Sequence, residues 1–181
     1  MSKLILFGGD LASGKSTYSN IIGEKFNITV INMDRIKEIL GDIFIAENRE
    51  ENLKLSKASF EIMKYEIEKN KDILLLESNF KDYEMEEIYN LINVYNIEVL
   101  SFVFKGDNKI LHERFMRRLN ENRHYVHKSQ DFTNIEDFIK TLDNLRRVKY
   151  PGIVIDIDSS DFSYQDDENL LRIISNFIKI N

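Results

Sequence analysis

The chain has 181 residues, 43% hydrophobic and 31% charged, which suits one globular domain with a sizeable core. A net charge of −6 excludes a global attraction to nucleic acid or anionic membrane, so any polyanion contact must come from a local patch. With no cysteine, disulfide and thiol chemistry are excluded, and a reducing cytoplasm is the expected compartment.

The first expected element is a strand over Leu4–Phe7. That apolar run is too short for a signal peptide, and no later stretch reaches transmembrane length. Gly9-Asp10-Leu11-Ala12-Ser13-Gly14-Lys15-Ser16 follows, a complete Gly-x4-Gly-Lys-Ser, and leads through Thr17 into a helical stretch to Phe26. In this strand–loop–helix setting, successive backbone N–H groups form a concave anion site, reinforced by the positive end of the helix dipole. Lys15 is placed to reach the β- and γ-phosphates and Ser16 to offer its hydroxyl to Mg²⁺, so the segment reads as a nucleoside triphosphate site.

Further apolar runs at Ile28–Ile31, Ile73–Leu76, Val99–Phe104 and Ile153–Ile157 read as buried parallel strands. Helical periodicities alternate with them, the pattern of an α/β sheet covered on both faces. Arg49 to Asn70 carries Leu53, Ser56, Phe60, Met63 and Ile67 at helical spacing. Asp82 suits an N-cap ahead of Met85, Ile88, Tyr89 and Ile92. Thr133 and Glu136 suit a capping box ahead of Ile135, Phe138, Ile139 and Leu142. Tyr150-Pro151-Gly152 punctuates before the last strand, and Leu170, Ile173, Ile174, Phe177 and Ile178 mark a final helix. No repeat, low-complexity tract or linker divides the chain, so one domain over residues 1–181 is expected.

Open parallel sheets bind ligands beyond the carboxyl ends of their strands. That rule selects Asn32-Met33-Asp34, Glu77-Ser78-Asn79 and Ser159-Ser160-Asp161 beside the P-loop. Asp34 reads both as a helix N-cap and as a general base for a substrate hydroxyl, and the two roles are compatible. Lys37, one turn on, suits either a partner for Asp34 or a contact to a substrate anion. Glu77, ending a hydrophobic strand, is a ligand to Mg²⁺ through water or a substrate contact, and Asn79 a further substrate contact.

Lys105–Lys128 is locally basic. With Leu111, Phe115 and Leu119 on one helix face, Arg118 falls within the stripe and Arg114 at its border, while Arg117 points away. Inward-leaning arginines need an anionic partner, so Arg114 and Arg118 are assigned to a lid over the phosphates, at about residues 106–130. His124 and His127 read as lid or substrate residues rather than metal ligands, and His112 has no expected catalytic role.

Taken together these segments resemble the P-loop small-molecule kinases, near the polynucleotide-kinase, zeta-toxin and chloramphenicol-phosphotransferase-like groups. Gly9–Thr17 matches the family P-loop, with Ala12 where glycine is frequent. Asp34-Arg35-Ile36-Lys37 resembles an Asp-x-x-Arg element supplying base and substrate-side cation, with lysine replacing arginine. Leu74–Phe80 is similar to the third-strand element in which an acidic residue and Asn follow the strand. Arg114-Phe115-x-x-Arg118 and Arg123-His124-Tyr125-Val126-His127 resemble the family lid, with Tyr125-Val126 replacing Pro-Gly. Asp158–Phe162 is similar to the loop that borders the adenine.

The resemblance implies a three-layer P-loop NTP hydrolase fold with sheet order 2-3-1-4-5 and a helical lid. It also implies ATP and Mg²⁺, and a small-molecule hydroxyl acceptor seated between the Asp34 helix and the helix from Arg49. Lys15, Asp34, Arg114 and Arg118 would be catalytic. The nucleotide would lie against Gly9–Thr17 with Arg114 and Arg118, and Asp34, Lys37, Glu77, Asn79 and Arg123 would meet the substrate. A monomer or homodimer without a membrane partner is expected. Rival readings are a 5′-hydroxyl polynucleotide kinase, which the acidic balance disfavours, a nucleotide-sugar kinase, and an ATP-binding module without transfer chemistry. A GTPase is not among them. Glu77-Ser78-Asn79-Phe80 is not Asp-x-x-Gly, and Asn70-Lys71-Asp72 lacks the Asn-Lys-x-Asp spacing.

Overall fold

A computed structural model describes residues 2–121, 123–128 and 134–179. The strands are β1 (Lys3–Gly9), β2 (Thr29–Asn32), β3 (Ile73–Glu77), β4 (Glu98–Lys105) and β5 (Ile153–Asp158). The helices are α1 (Lys15–Phe26), α2 (Met33–Ile43), α3 (Arg49–Lys69), α4 (Asp82–Tyr95), α5 (Asn108–Asn120), α6 (Ile135–Arg147) and α7 (Glu168–Lys179). The sheet has the order β2-β3-β1-β4-β5, and every pairing is parallel. This is the α/β architecture and strand order expected. Among the described residues no helix is long and apolar enough to cross a membrane.

Alternation along β1 divides its side chains between two cores. Leu4 and Leu6 join Phe60, Met63, Phe80 and Ile88 under α3 and α4, while Ile5 and Phe7 join Tyr18, Ile22, Phe104 and Ile174 under α1 and α7. A smaller cluster, Ala12, Leu111, Phe115, Phe138 and Leu142, fastens α5 and α6 to the P-loop. Burying β1 on both faces places the P-loop at the middle of the sheet's carboxyl edge.

Several local expectations are corrected. The outer runs are edge strands rather than buried ones, with Ile153 63% and Val154 47% exposed on β5. Leu53 is exposed, and Leu55 and Ser59 join Phe60, Met63 and Ile67 on the buried face of α3. Asp82 is the first residue of α4 rather than its cap, and Glu84 accepts from the Lys81 amide at 2.9 Å. Thr133 lies outside the described residues. The α6 cap is Asn134, whose side chain accepts from the Glu136 amide at 2.8 Å.

Candidate active site

The P-loop is held by left-handed backbone and by neighbours packed against it. Gly9 has φ 106°, and a Cβ there would stand 2.3 Å from the Phe104 carbonyl oxygen. Gly14 has φ 86°, and a Cβ would meet the Tyr164 hydroxyl at 2.4 Å. That hydroxyl donates to the Ser13 carbonyl at 2.9 Å, while Ser13 Oγ donates to the Asp10 carbonyl at 2.8 Å. Ala12 also turns left-handed, with φ 57°, in the position where the family resemblance placed glycine. Leu11 lies beside it, half-buried.

Lys15 is buried, and its ammonium donates to the Asp10 carbonyl at 2.5 Å and to Ser13 Oγ at 3.1 Å. Burial pulls its pKa down against the charges of Glu77, Asp10 and Asp34. Ser16 and Thr17, at the start of α1, are exposed. The Asp10 side chain is fully buried and does not face the loop's mouth. It accepts from Arg146 Nη2 at 2.6 Å, from Arg146 Nε at 3.0 Å and from the Gly106 amide at 3.0 Å.

β2 and β3 end side by side, with Asn32 in register with Glu77. Asn32, not Asp34, caps α2, accepting from the Arg35 amide at 2.7 Å. Its amide group donates to the Glu77 carboxylate. Because Asn32 takes the cap, Asp34 falls in the first turn of α2 with its carboxylate exposed. Glu77 is buried, and its carboxyl is pushed up to about 7. Burial is the main cause; Lys15 opposes it, Asp34 adds to it, and hydrogen bonds from Ser16 and Asn32 oppose it again.

Two clefts meet at Asp34, Ser16 and Arg123. The smaller lies over the P-loop and includes Lys15, Glu77, Asn79, Phe115 and Arg118. The larger, about 540 Å³, runs between α1, β2, α2 and the lid turn, with Asn20, Asn32, Glu38 and His127 on its walls. The charge of Asp34 is felt by Lys15, Lys37, Glu77, Arg123 and His127. Of the site residues read from the sequence, Lys15, Lys37, Glu77 and Arg123 are thus brought together around the Asp34 carboxylate.

The arginines of α5 separate in role. Arg118 is exposed rather than part of the apolar stripe, yet it borders the P-loop cleft. Arg114 is engaged elsewhere: it donates to the Ser159 and Ser160 carbonyls at 2.6 and 2.7 Å and stacks 4.1 Å over Phe162. Its guanidinium therefore braces the loop after β5, a different placement from the phosphate-facing one expected. Arg123 packs 5.6 Å from the Phe115 ring, and burial lowers its pKa.

The lid turn, Tyr125–His127, sits on α2 and α3. Tyr125 donates to the Gly41 carbonyl at 2.7 Å and accepts from the Ala46 amide at 3.1 Å. The Val126 carbonyl accepts from Asn52 Nδ2 at 2.8 Å and from Lys37 Nζ at 3.4 Å. His124 meets Asp42 at 3.0 Å, and buried His127 lies 3.3 Å from Glu38. Val126 thus occupies part of the space between α2 and α3 expected for an acceptor. A cavity of about 300 Å³ remains there between Phe44–Ala46 and the start of α3, and the larger cleft lies along α1, β2 and α2. Sequence reasoning missed Asn32 as the cap and Glu77 partner, and Arg146 as the Asp10 partner. Asn32 stands in a segment flagged at a strand end, whereas nothing local marks Arg146.

No family model matches the sequence, and no curated protein matches it. Among solved structures, the chain is similar to a candidate kinase of Chloroflexus aurantiacus, with a TM-score of 0.79 at 18% identity over 98% of this chain and 99% of that one. It is similar to the shikimate kinase of Bacteroides thetaiotaomicron, with a TM-score of 0.58 at 15% identity over 96% and 97%. It is also similar to a gluconokinase of Sinorhizobium meliloti, with a TM-score of 0.54 at 14% identity over 97% and 94%. At these identities the likeness establishes a shared fold: the chain has the fold of P-loop kinases along nearly its whole length.

Proposed function

We propose that the protein is an ATP- and Mg²⁺-dependent kinase that phosphorylates a hydroxyl of a small molecule in the cytoplasm. The observation that carries this reading is the position of Asp34, an exposed carboxylate bordering both the P-loop cleft and the larger cleft beside it. A module that only binds nucleotide has no need of a base there. The kinase names of the structural neighbours agree with it.

In the proposed reaction Asp34 accepts the proton of the acceptor hydroxyl as its oxygen bonds to the γ-phosphorus. The bond from that phosphorus to the β–γ bridging oxygen breaks, and its electron pair leaves with ADP. Lys15 turns its ammonium from the Asp10 carbonyl to the β- and γ-phosphates, and Arg118 adds positive charge from the lid. Arg114, held by Ser159 and Ser160, forms the wall on the nucleotide-base side. Ser16 and Glu77 are hydrogen-bonded hard-oxygen donors, a set that fits Mg²⁺ held partly through water. The metal would neutralise charge on the β- and γ-oxygens.

The test is a pair of substitutions read by two assays. Lys15→Ala should abolish binding of a non-hydrolysable ATP analogue. Asp34→Asn should keep analogue affinity within about threefold and lower phosphoryl transfer by roughly 10²–10⁴-fold. Near-wild-type transfer by Asp34→Asn would remove Asp34 as the base.

A further inference from the structure

The cleft beside Asp34 holds polar atoms that the protein itself leaves unsatisfied. Arg123 Nη1 and His127 Nε2 are both buried without a hydrogen-bond partner, and both residues line this cleft. His127 lies within ion-pair distance of Glu38 at 3.3 Å, but not in hydrogen-bonding geometry. Asn79 Oδ1, on the P-loop side of Asp34, is likewise buried and unpartnered. Buried donors without acceptors are rare, and a charged one is the most costly kind.

The charge around these atoms is also unbalanced. Among the described residues, neither Arg123 nor Lys37 forms an ion pair, and Lys37 reaches only the Val126 carbonyl at 3.4 Å. Burial lowers the pKa of both; Asp34 opposes it in each, while Lys81 and Arg123 lower Lys37 further and Arg118 lowers Arg123. Of the two carboxylates on the cleft wall, Glu38 already pairs with Arg35 at 3.0 Å. That leaves Asp34 against Arg123 and Lys37.

We infer that the acceptor is an anionic alcohol, its carboxylate or phosphate held by Arg123 and His127 while its hydroxyl meets Asp34. This rests on the kinase reading and names the substrate class of the same site. A guanidinium with a buried, unpartnered Nη1 is matched to a carboxylate or phosphate oxygen, which gives it a charged acceptor that a neutral polyol lacks. Lys37, behind the cleft on α2, adds positive potential without needing contact. The cleft, at about 540 Å³, has room for a compound of metabolite size.

The experiment separates a metabolite extract on an anion-exchange resin into retained and unretained fractions. Each is incubated with the full-length protein, Mg²⁺ and γ-labelled ATP. Label should appear only in products from the retained fraction. Treating that fraction with phosphatase, then removing the enzyme, distinguishes the sources: lost labelling indicates a phosphate, retained labelling a carboxylate. Arg123→Met should lower labelling at least tenfold, Arg123→Lys less, and both should bind a non-hydrolysable ATP analogue as the wild type does, which also reports folding. Labelling from the unretained fraction would overturn the inference and leave the kinase reading intact. Loss of analogue binding in Arg123→Met would overturn it too, by making Arg123 a nucleotide contact. Labelling from neither fraction by a protein that still binds the analogue would overturn both.

Discussion

The Glu77 carboxyl titrates near 7 because burial outweighs the attraction of Lys15, whereas in the unfolded chain it ionises near its ordinary 4.5. A folded value above the unfolded one means that the folded state favours the protonated acid. Its stabilising contribution is therefore complete below pH 4.5 and is lost as pH rises through about 7. The gap corresponds to ~3 kcal/mol. Glu77→Gln keeps the size and hydrogen-bonding capacity of the side chain and removes the titration. The difference in urea unfolding free energy between variant and wild type should move in the variant's favour by roughly 2–3 kcal/mol between pH 4.5 and 7.5. A difference that stays constant with pH would show that Glu77 keeps its ordinary value. Phosphoryl transfer by the variant should fall, and excess Mg²⁺ should restore part of it if Glu77 acts through the metal.

Among elements, the tie between α6 and the P-loop is the one with the clearest energetic consequence. Asp10 has no exposed surface, and Arg146 meets it through two nitrogens while donating to the Gly106 carbonyl at 2.8 Å. Removing one member of a buried pair costs about 3–5 kcal/mol, and the 27% exposure of the arginine side chain reduces that. Arg146→Met should thus lower stability by about 2 kcal/mol in denaturant titration. It should also weaken ATP-analogue binding, because the Asp10 carbonyl and amide belong to the loop's cradle. Unchanged nucleotide affinity would show that the loop holds its shape without α6. This tie also marks the limit of what the sequence discloses. Strand order and the P-loop are local patterns of alternating apolar runs and fixed glycines, so they are legible. Arg146 acts on a residue far from it in the chain, inside a helix whose pattern shows only an amphipathic face. Arg118 was legible as a site residue for an imperfect reason. It borders the cleft because the end of α5 overhangs the P-loop, not because it joins the apolar stripe. That a lid turn from a distant segment, through Tyr125 and Val126, occupies part of the α2–α3 gap is likewise marked by no local pattern.

For the whole molecule, the decisive feature is that the candidate site draws on α1, α2, β3 and α5, each with residues in the hydrophobic clusters, and on the lid turn, which is hydrogen-bonded to α2 and α3. The sheet separates two cores, but β1 contributes alternate side chains to both, and the third cluster joins α5 and α6 to the loop that follows β1. No element of the site has a core of its own, so unfolding should be a single cooperative transition, coincident by far-UV circular dichroism and by fluorescence of its 8 tyrosines. Ligand binding must then act on that same transition. An ATP analogue with Mg²⁺ at 100 times its Kd should stabilise the fold by about 2.7 kcal/mol. For a chain of 181 residues this raises Tm by roughly 5–10 °C, with the transition still single. Lys15→Ala should erase the shift, whereas Asp34→Asn should preserve it, because in the proposed reaction the first holds the phosphates and the second acts on the acceptor. A biphasic melt in which only one phase responds to nucleotide would show that the lid and α2–α3 unfold apart from the sheet. In that case closure over the phosphates would be a separate equilibrium rather than a property of the native fold.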